Sequence, residues 1–305
     1  MSHLSDAAGP TRSAAVIHDL GYRPYTGPRL GESAIARSLY VTGLRHTYGL
    51  GRSARSKVLP MLLLGLMLLP ALILVGVLVQ ARTILDLDEH LVAYSTYPIT
   101  TQLLISVFVA AQAPALISRD LRFGTISLYL ARPLRRRTYV LVRLASLTVA
   151  TFALIGAPLL LLYVGGVLAD LPLGRETGRF LAALFGALLL AACLSGLAAL
   201  ISALTVRRGL AVAAVVIVLV ISYTVVSTIQ GISEDVGSES VGEVAGIFSP
   251  YTLINGVQVF LFDSPEATVT PPSSDAMGVL YLVATALSIV GSSIGMLLRY
   301  RRVTA

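Results

Sequence analysis

Six stretches of the chain are apolar for about 20 residues or more: 58–80, 99–117, 142–168, 180–204, 209–230 and 276–298. A helix rises 1.5 Å per residue, so about 20 apolar residues cross the hydrocarbon core of a bilayer. A helix also satisfies its own backbone where no water is present. The pattern predicts an all-α, polytopic membrane protein with six transmembrane helices. Pro60, Pro70, Pro114 and Pro158 fall inside the first three runs, where a proline kinks a membrane helix rather than ending it. Ahead of them, residues 1–31 are rich in Gly, Pro and polar residues and read as a loosely ordered arm. In 32–56, Ile35, Leu39 and Tyr48 alternate with Arg37, Arg45, Arg52 and Arg55. That spacing predicts a helix lying in the headgroup plane, or a plain helix outside the membrane. The chain thus divides into an arm with its helix, 1–57, and a six-span domain, 58–305.

Two of the connections carry patterns of their own. The segment 118–141 reads SRDLRFGTISLYLARPLRRRTYVL. Residues 119–131 can form a short helix that ends before Pro133. Leu121, Thr125 and Leu128 then share one face, and Phe123, Ile126 and Leu130 the opposite one. A helix apolar on two sides needs a partner on each. One is the protein's own spans; the other is either a separate protein or more of the same membrane domain. The connection 231–275 holds seven acidic residues and no Lys or Arg, and within it lies an apolar stretch, 244–262, interrupted at Ser249-Pro250. Ser249 is suited to cap a helix and Pro250 to open it. Each half is too short to span, so the stretch predicts two short helices dipping in from outside, or a small external cap.

Charge fixes the side. Only 13% of residues are charged and 55% are hydrophobic, where soluble domains carry about a quarter charged residues. With the N-terminus in the cytoplasm, 1–57, 118–141, 205–208 and 299–305, together with Arg143, face inward. These hold 20 of the 23 Lys and Arg residues, and 12 of the 16 acidic residues face outward. The positive-inside rule therefore sets both termini in the cytoplasm. The net charge of +7 is explained as a topology device, without a nucleic-acid partner. No signal peptide is expected, since the first apolar run begins at Val58.

Little of the sequence offers bond-making chemistry. The lone Cys193 cannot form an internal disulfide, and His3, His18, His46 and His90 follow no metal-ligand spacing. The single lysine, Lys57, lies in no phosphate-binding loop. The span interiors contain no clear ionisable residue, which argues against an ion-coupled secondary transporter and a membrane enzyme. Both stay as alternatives, with a non-transporting scaffold beside them. What the spans do offer is neutral polarity. Tyr223, Ser227 and Gln230 form a stripe in the fifth, with Thr224 and Thr228 beside it. Gln102 and Ser106 share a face of the second, and Gln112 lies deeper. These residues either line a pathway for an amphipathic or apolar substrate or bond helix to helix. Gly291 and Gly295 suit close helix packing within the subunit.

The 118–141 segment resembles the coupling segment of permeases of the ABC transporter type-2 exporter class. The resemblance rests on Asp120, Gly124-Thr125, the apolar 126–130, Pro133 and the basic turn Arg135 to Arg137. Arg122 and Ser127 stand where the family often has acidic residues. The arm DLGYRPYTGPRLG (19–31) is similar to that of a prokaryotic subgroup. The resemblance implies a non-enzymatic permease subunit of an ATP-driven exporter in a prokaryotic inner membrane. It implies a dimer with a second permease chain, identical or homologous, and separate ABC ATPase subunits that bind ATP and Mg. It implies coupling through Asp120, Leu121, Phe123, Gly124, Thr125 and Leu128. Pathway lining would come from the second and fifth spans, with Gln102, Ser106, Tyr223, Thr224, Ser227 and Thr228. An outer gate of re-entrant helices would form around Ser249, Pro250 and Tyr251.

Overall fold

The computed structural model describes residues 27, 31–51, 53–85, 92–123, 129, 134–205, 207–265, 267 and 270–301. Among these residues the regular structure is helical throughout, with no strand. The helices are α1 (Glu32–Thr47), α2 (Ala54–Leu85), α3 (Tyr97–Thr100), α4 (Gln102–Leu116), α5 (Ser118–Arg122), α6 (Arg136–Leu168), α7 (Leu173–Leu204), α8 (Arg208–Asp235), α9 (Glu239–Gly246), α10 (Pro250–Phe262) and α11 (Asp275–Arg301).

Six helical segments are long and apolar enough to cross a bilayer: Ala54–Arg82, Gln102–Asp120, Arg136–Leu168, Leu173–Leu204, Arg208–Asp235 and Asp275–Arg301. Each matches one of the six apolar runs. Several overrun their apolar run. The 33 residues of α6 extend about 50 Å, more than a hydrocarbon core of about 30 Å needs. The second span begins later than its run. Tyr97–Thr100 forms a separate short helix with Pro98 in its first turn, and Thr101 breaks the path into α4. The prolines at 60, 70, 114 and 158 all lie inside helices.

The spans alternate in direction, and their hydrogen bonds tie like ends together. Ser118 Oγ donates to Ser202 O (2.6 Å), joining the far ends of the second span and α7. Arg299 Nε donates to Ala203 O, and Arg136 to Arg301 O, so α11 ends beside the end of α7 and the start of α6. The described arginines 119, 135–137, 143, 207, 208, 299 and 301 therefore gather at one end, the basic end. At the opposite, acidic end, Ser95 Oγ donates to Pro265 O and Gln230 Nε2 to Thr270 O.

α4 is the hub. Two thirds of its apolar window (67%) is buried, against 22% for each of α2, α8 and α11. It packs on α6, α7 and α8. The close fit of α7 on α11 is made at Gly196, where a Cβ would overlap Ser292 Oγ, and at Gly295, which receives Leu200; Gly291 faces open space. Of the predicted glycine pair, only Gly295 therefore packs inside the subunit.

α1 differs from the expected in-plane placement in one respect. Its contacts with α6 advance in step along both helices. Glu32 meets Arg135 and Thr138, Tyr40 O accepts from Ser146 Oγ, and the Tyr48 hydroxyl donates to Ala150 O (2.8 Å). Residues 32–48 thus run beside residues 135–150, so α1 lies along α6, not across it. Gly43 permits the approach, since a Cβ there would press on Ser146. Glu32 also accepts from the backbone N–H of Arg135, the residue that opens α6, and from the Thr138 hydroxyl (2.6 Å). These donors, the hydroxyl first, lower the Glu32 carboxyl below its ordinary range.

Candidate functional site

The basic end contains a buried ionic latch. Asp120, in α5 directly below the second span, is 9% exposed, and Arg143, two turns into α6, is 4% exposed. Arg143 Nη2 donates to Asp120 Oδ2 at 2.6 Å, and the Tyr139 hydroxyl donates to the same oxygen at 2.5 Å. The guanidinium lies 5.7 Å and 5.4 Å from the ring centres of Tyr129 and Tyr139. Tyr300 of α11 packs on Tyr139 with ring centres 5.8 Å apart. One carboxylate thus connects the second span to α6, to the 129 region and to the last span. Burying such a pair is costly unless its hydrogen bonds are made, and removing one partner alone is costlier. The expectation of spans without ionisable groups holds for their middles; the ends carry this pair.

Of the coupling residues named from the sequence, Asp120 forms the latch. Leu121 lies in α5, and Phe123 just beyond it is 66% exposed. Gly124, Thr125 and Leu128 lie outside the described residues.

The second polar centre is neutral and lies deeper. The Tyr251 hydroxyl meets Ser106 Oγ at 2.7 Å and donates to the Gln102 carbonyl at 3.0 Å. The Tyr223 ring stands edge-on to Tyr251, with centroids 6.1 Å apart and planes at 85°. Residues assigned from the sequence to the pathway (Gln102, Ser106, Tyr223) and to the outer gate (Tyr251) meet in one node. Ser106 and Tyr251 are fully buried inside the bundle. Ser227 is half-buried. Thr224 and Thr228 are exposed on the outer surface of α8 and bond back to Val220 O and Thr224 O of their own helix.

α9 and α10 deliver Tyr251 to this node. They meet at a bend of 110°. α9 returns along α8, with Gly242 against Ser233 and Gly246 against Gln230. Tyr251 reaches the level of Tyr223, twelve residues short of the end of α8 at Asp235, or about 18 Å along the axis. α10 is buried from Pro250 to Gln258. Ser249 stands at the cap position and Pro250 opens α10, as the sequence predicts, but the Ser249 side chain makes no cap bond and its Oγ is buried without a partner among the described residues. Thr252 takes over locally, its hydroxyl donating to Gly246 O and Ser249 O. Phe248, at the bend, is 73% exposed.

Two carboxyl groups near the acidic end, counted by sequence as loop charges, are buried. Glu176, fully buried, accepts from the Tyr94 hydroxyl at 2.7 Å and lies 4.0 Å from Arg179. Burial, then this bond, raises the Tyr94 phenol well above its ordinary range, so it stays a donor. Glu243 Oε1 accepts from the Ser273 N–H, and its backbone carbonyl from the Tyr281 hydroxyl. The only sequence signal for Glu176 was its spacing three residues before Arg179. Among the described residues no group of His, Cys, Asp and Glu could hold a metal. Comparison with known proteins finds no family model that matches the chain and no match among curated proteins.

Proposed function

We propose that this chain is the permease subunit of an ATP-driven exporter of the type-2 ABC class. It forms a translocation pathway with a second permease and is moved by separate ATPase subunits. The observation that carries the reading is the segment starting at Ser118. Its sequence resembles a coupling segment, its first acidic residue is bonded into the bundle through Arg143 and Tyr139, and it leads out to an exposed Phe123. A push on Asp120 reaches α6 through its buried hydrogen bonds and α11 through the contact of the Tyr139 and Tyr300 rings.

Positive-inside bias supports placing the basic end, with both termini, in the cytoplasm of a prokaryotic inner membrane. The bent pair α9–α10 then enters from the outer face as a re-entrant hairpin. The break at Ser249-Pro250 is tolerable at that depth because both residues are buried in protein. The Tyr251 node closes the outer end, and opening requires Tyr251 to leave Ser106. Between positions 58 and 79 of α2 and 279 and 298 of α11 the exposed residues are apolar or Gly, whereas α8 exposes Thr224 and Thr228. That difference supports α8 as the side facing the second permease and an amphipathic substrate.

The test is co-purification with a nucleotide-hydrolysing subunit. Leu128→Asp is expected to abolish binding while the permease still folds; unchanged binding and unchanged stimulation of ATP hydrolysis would overturn the assignment.

A further inference from the structure

We propose that a cavity at the basic end, between α2, the base of the second span and the start of α8, binds the phosphate of an anionic membrane lipid. The cavity measures about 630 Å³, and its wall includes His46, Arg55, Arg119 and Arg208 and no carboxylate among the described residues. The described carboxylates of this end are engaged elsewhere: Glu32 with Arg135 and Thr138, and Asp120 with Arg143 and Tyr139. Three guanidinium groups around one hollow repel each other unless an anion sits among them.

Independent of those charges, Gln112 lines the same hollow. It is only 8% exposed, and its amide has no hydrogen-bond partner among the described residues. The amide opens onto the hollow, so a ligand with acceptor oxygens seated there would take the bonds of its NH2 group. α2 and α8 both begin at this hollow. Their first N–H groups lack helical partners and favour an anion.

The ligand is read as a lipid, not free phosphate, from the rest of the wall. Leu59, Pro60, Pro114, Ala115 and the exposed Phe123 make one side apolar. From Leu59 the exposed apolar strip continues up α2 through Leu62, Leu66 and Leu69. A headgroup seated among the arginines would leave its acyl chains on that strip. The inference needs only that the chain is embedded in a bilayer, and so stands or falls apart from ATPase coupling. It has one consequence for that reading: α5 turns Asp120 into the latch and Arg119 into the lipid cavity, so a bound headgroup would steady the start of the 118–133 segment.

The test uses the full-length protein purified in detergent, titrated with phosphatidylglycerol or phosphatidylcholine and read by native mass spectrometry. Phosphatidylglycerol is expected to bind about tenfold tighter or more, as two or three juxtaposed cations allow. Arg119→Gln with Arg208→Gln is expected to erase that preference. Arg37→Gln with Arg45→Gln, the same loss of charge on α1, is expected to keep it. Gln112→Leu, which keeps every charge, should weaken phosphatidylglycerol binding by about threefold or more. If the first double variant aggregates, Arg208→Gln alone beside Gln112→Leu gives the same reading. Equal losses in both double variants would mean diffuse surface charge and would overturn the site. Displacement of the lipid by millimolar inorganic phosphate would overturn its assignment to a lipid.

Discussion

The latch at Asp120 and the node at Tyr251 are both buried polar contacts between helices, yet they are built from different chemistry. The latch uses full charges, braced by a phenol and two aromatic faces, at the end of the bundle where the arginines gather. The node uses hydroxyls, a backbone carbonyl and an aromatic edge, about 18 Å inward from the other end of α8. An ion at the middle of a bilayer is expensive, while near a headgroup layer the cost falls. A neutral hydrogen bond between membrane helices is worth only about 0.6 kcal/mol and seldom more than about 2. The contrast is one of strength: the latch costs more to part than the node, which fits the gate proposed at Tyr251 and the rigid coupling proposed at Asp120.

The largest expected effect comes from breaking the latch. Arg143→Leu strands Asp120 in a buried place and should lower stability by about 3–5 kcal/mol, measured by thermal or denaturant unfolding of the purified protein. Adding Asp120→Asn should restore most of that loss, because the stranded charge is gone; no restoration would mean Asp120 bears no net charge worth pairing. Next is apolar packing between α7 and α11, outside both polar contacts. Gly196→Leu collides with Ser292 of α11 and should cost about 1–3 kcal/mol. Tyr251→Phe should cost less, about 0.6–2 kcal/mol, while changing transport more than stability. An unfolding loss as large as that of Arg143→Leu would erase the distinction between the two regions.

The smallest effect is one of pH. Glu32 has a lowered pKa, so its bonds to α6 contribute stability above the ordinary glutamate range, and that contribution is lost as pH falls through the depressed value. The protection of the α1 amides, measured against their intrinsic exchange rates, should therefore fall on acidification below about pH 4, and Glu32→Gln should remove that change in protection.

The six spans were legible because a membrane helix announces itself by what it lacks, and a run without charges needs no knowledge of partners. The short helices on either side of Ser249-Pro250 were legible too, since the break is local. The contacts themselves were not. Asp120 and Arg143 lie 23 positions apart, and Ser106 and Tyr251 lie 145 apart; nothing in either neighbourhood names the other. Glu176 read as an ordinary loop charge, because its burial depends on Tyr94 folding over it from another connection. The amphipathic spacing of α1 gave its existence but not its direction, since a polar face turned to solvent has the same period whether the helix lies across α6 or along it.

The account rests on the segment beginning at Ser118 being the place where a motor grips the membrane domain. Phe123→Cys, introduced with Cys193→Ala so that it is the one thiol present, can be cross-linked in inside-out membrane vesicles with and without ATP. The account predicts a cross-link to a chain that carries a phosphate-binding loop, changing in yield when ATP is added. A thiol that reacts only from the opposite face of the membrane, or one that never reaches a nucleotide-binding chain, would contradict it.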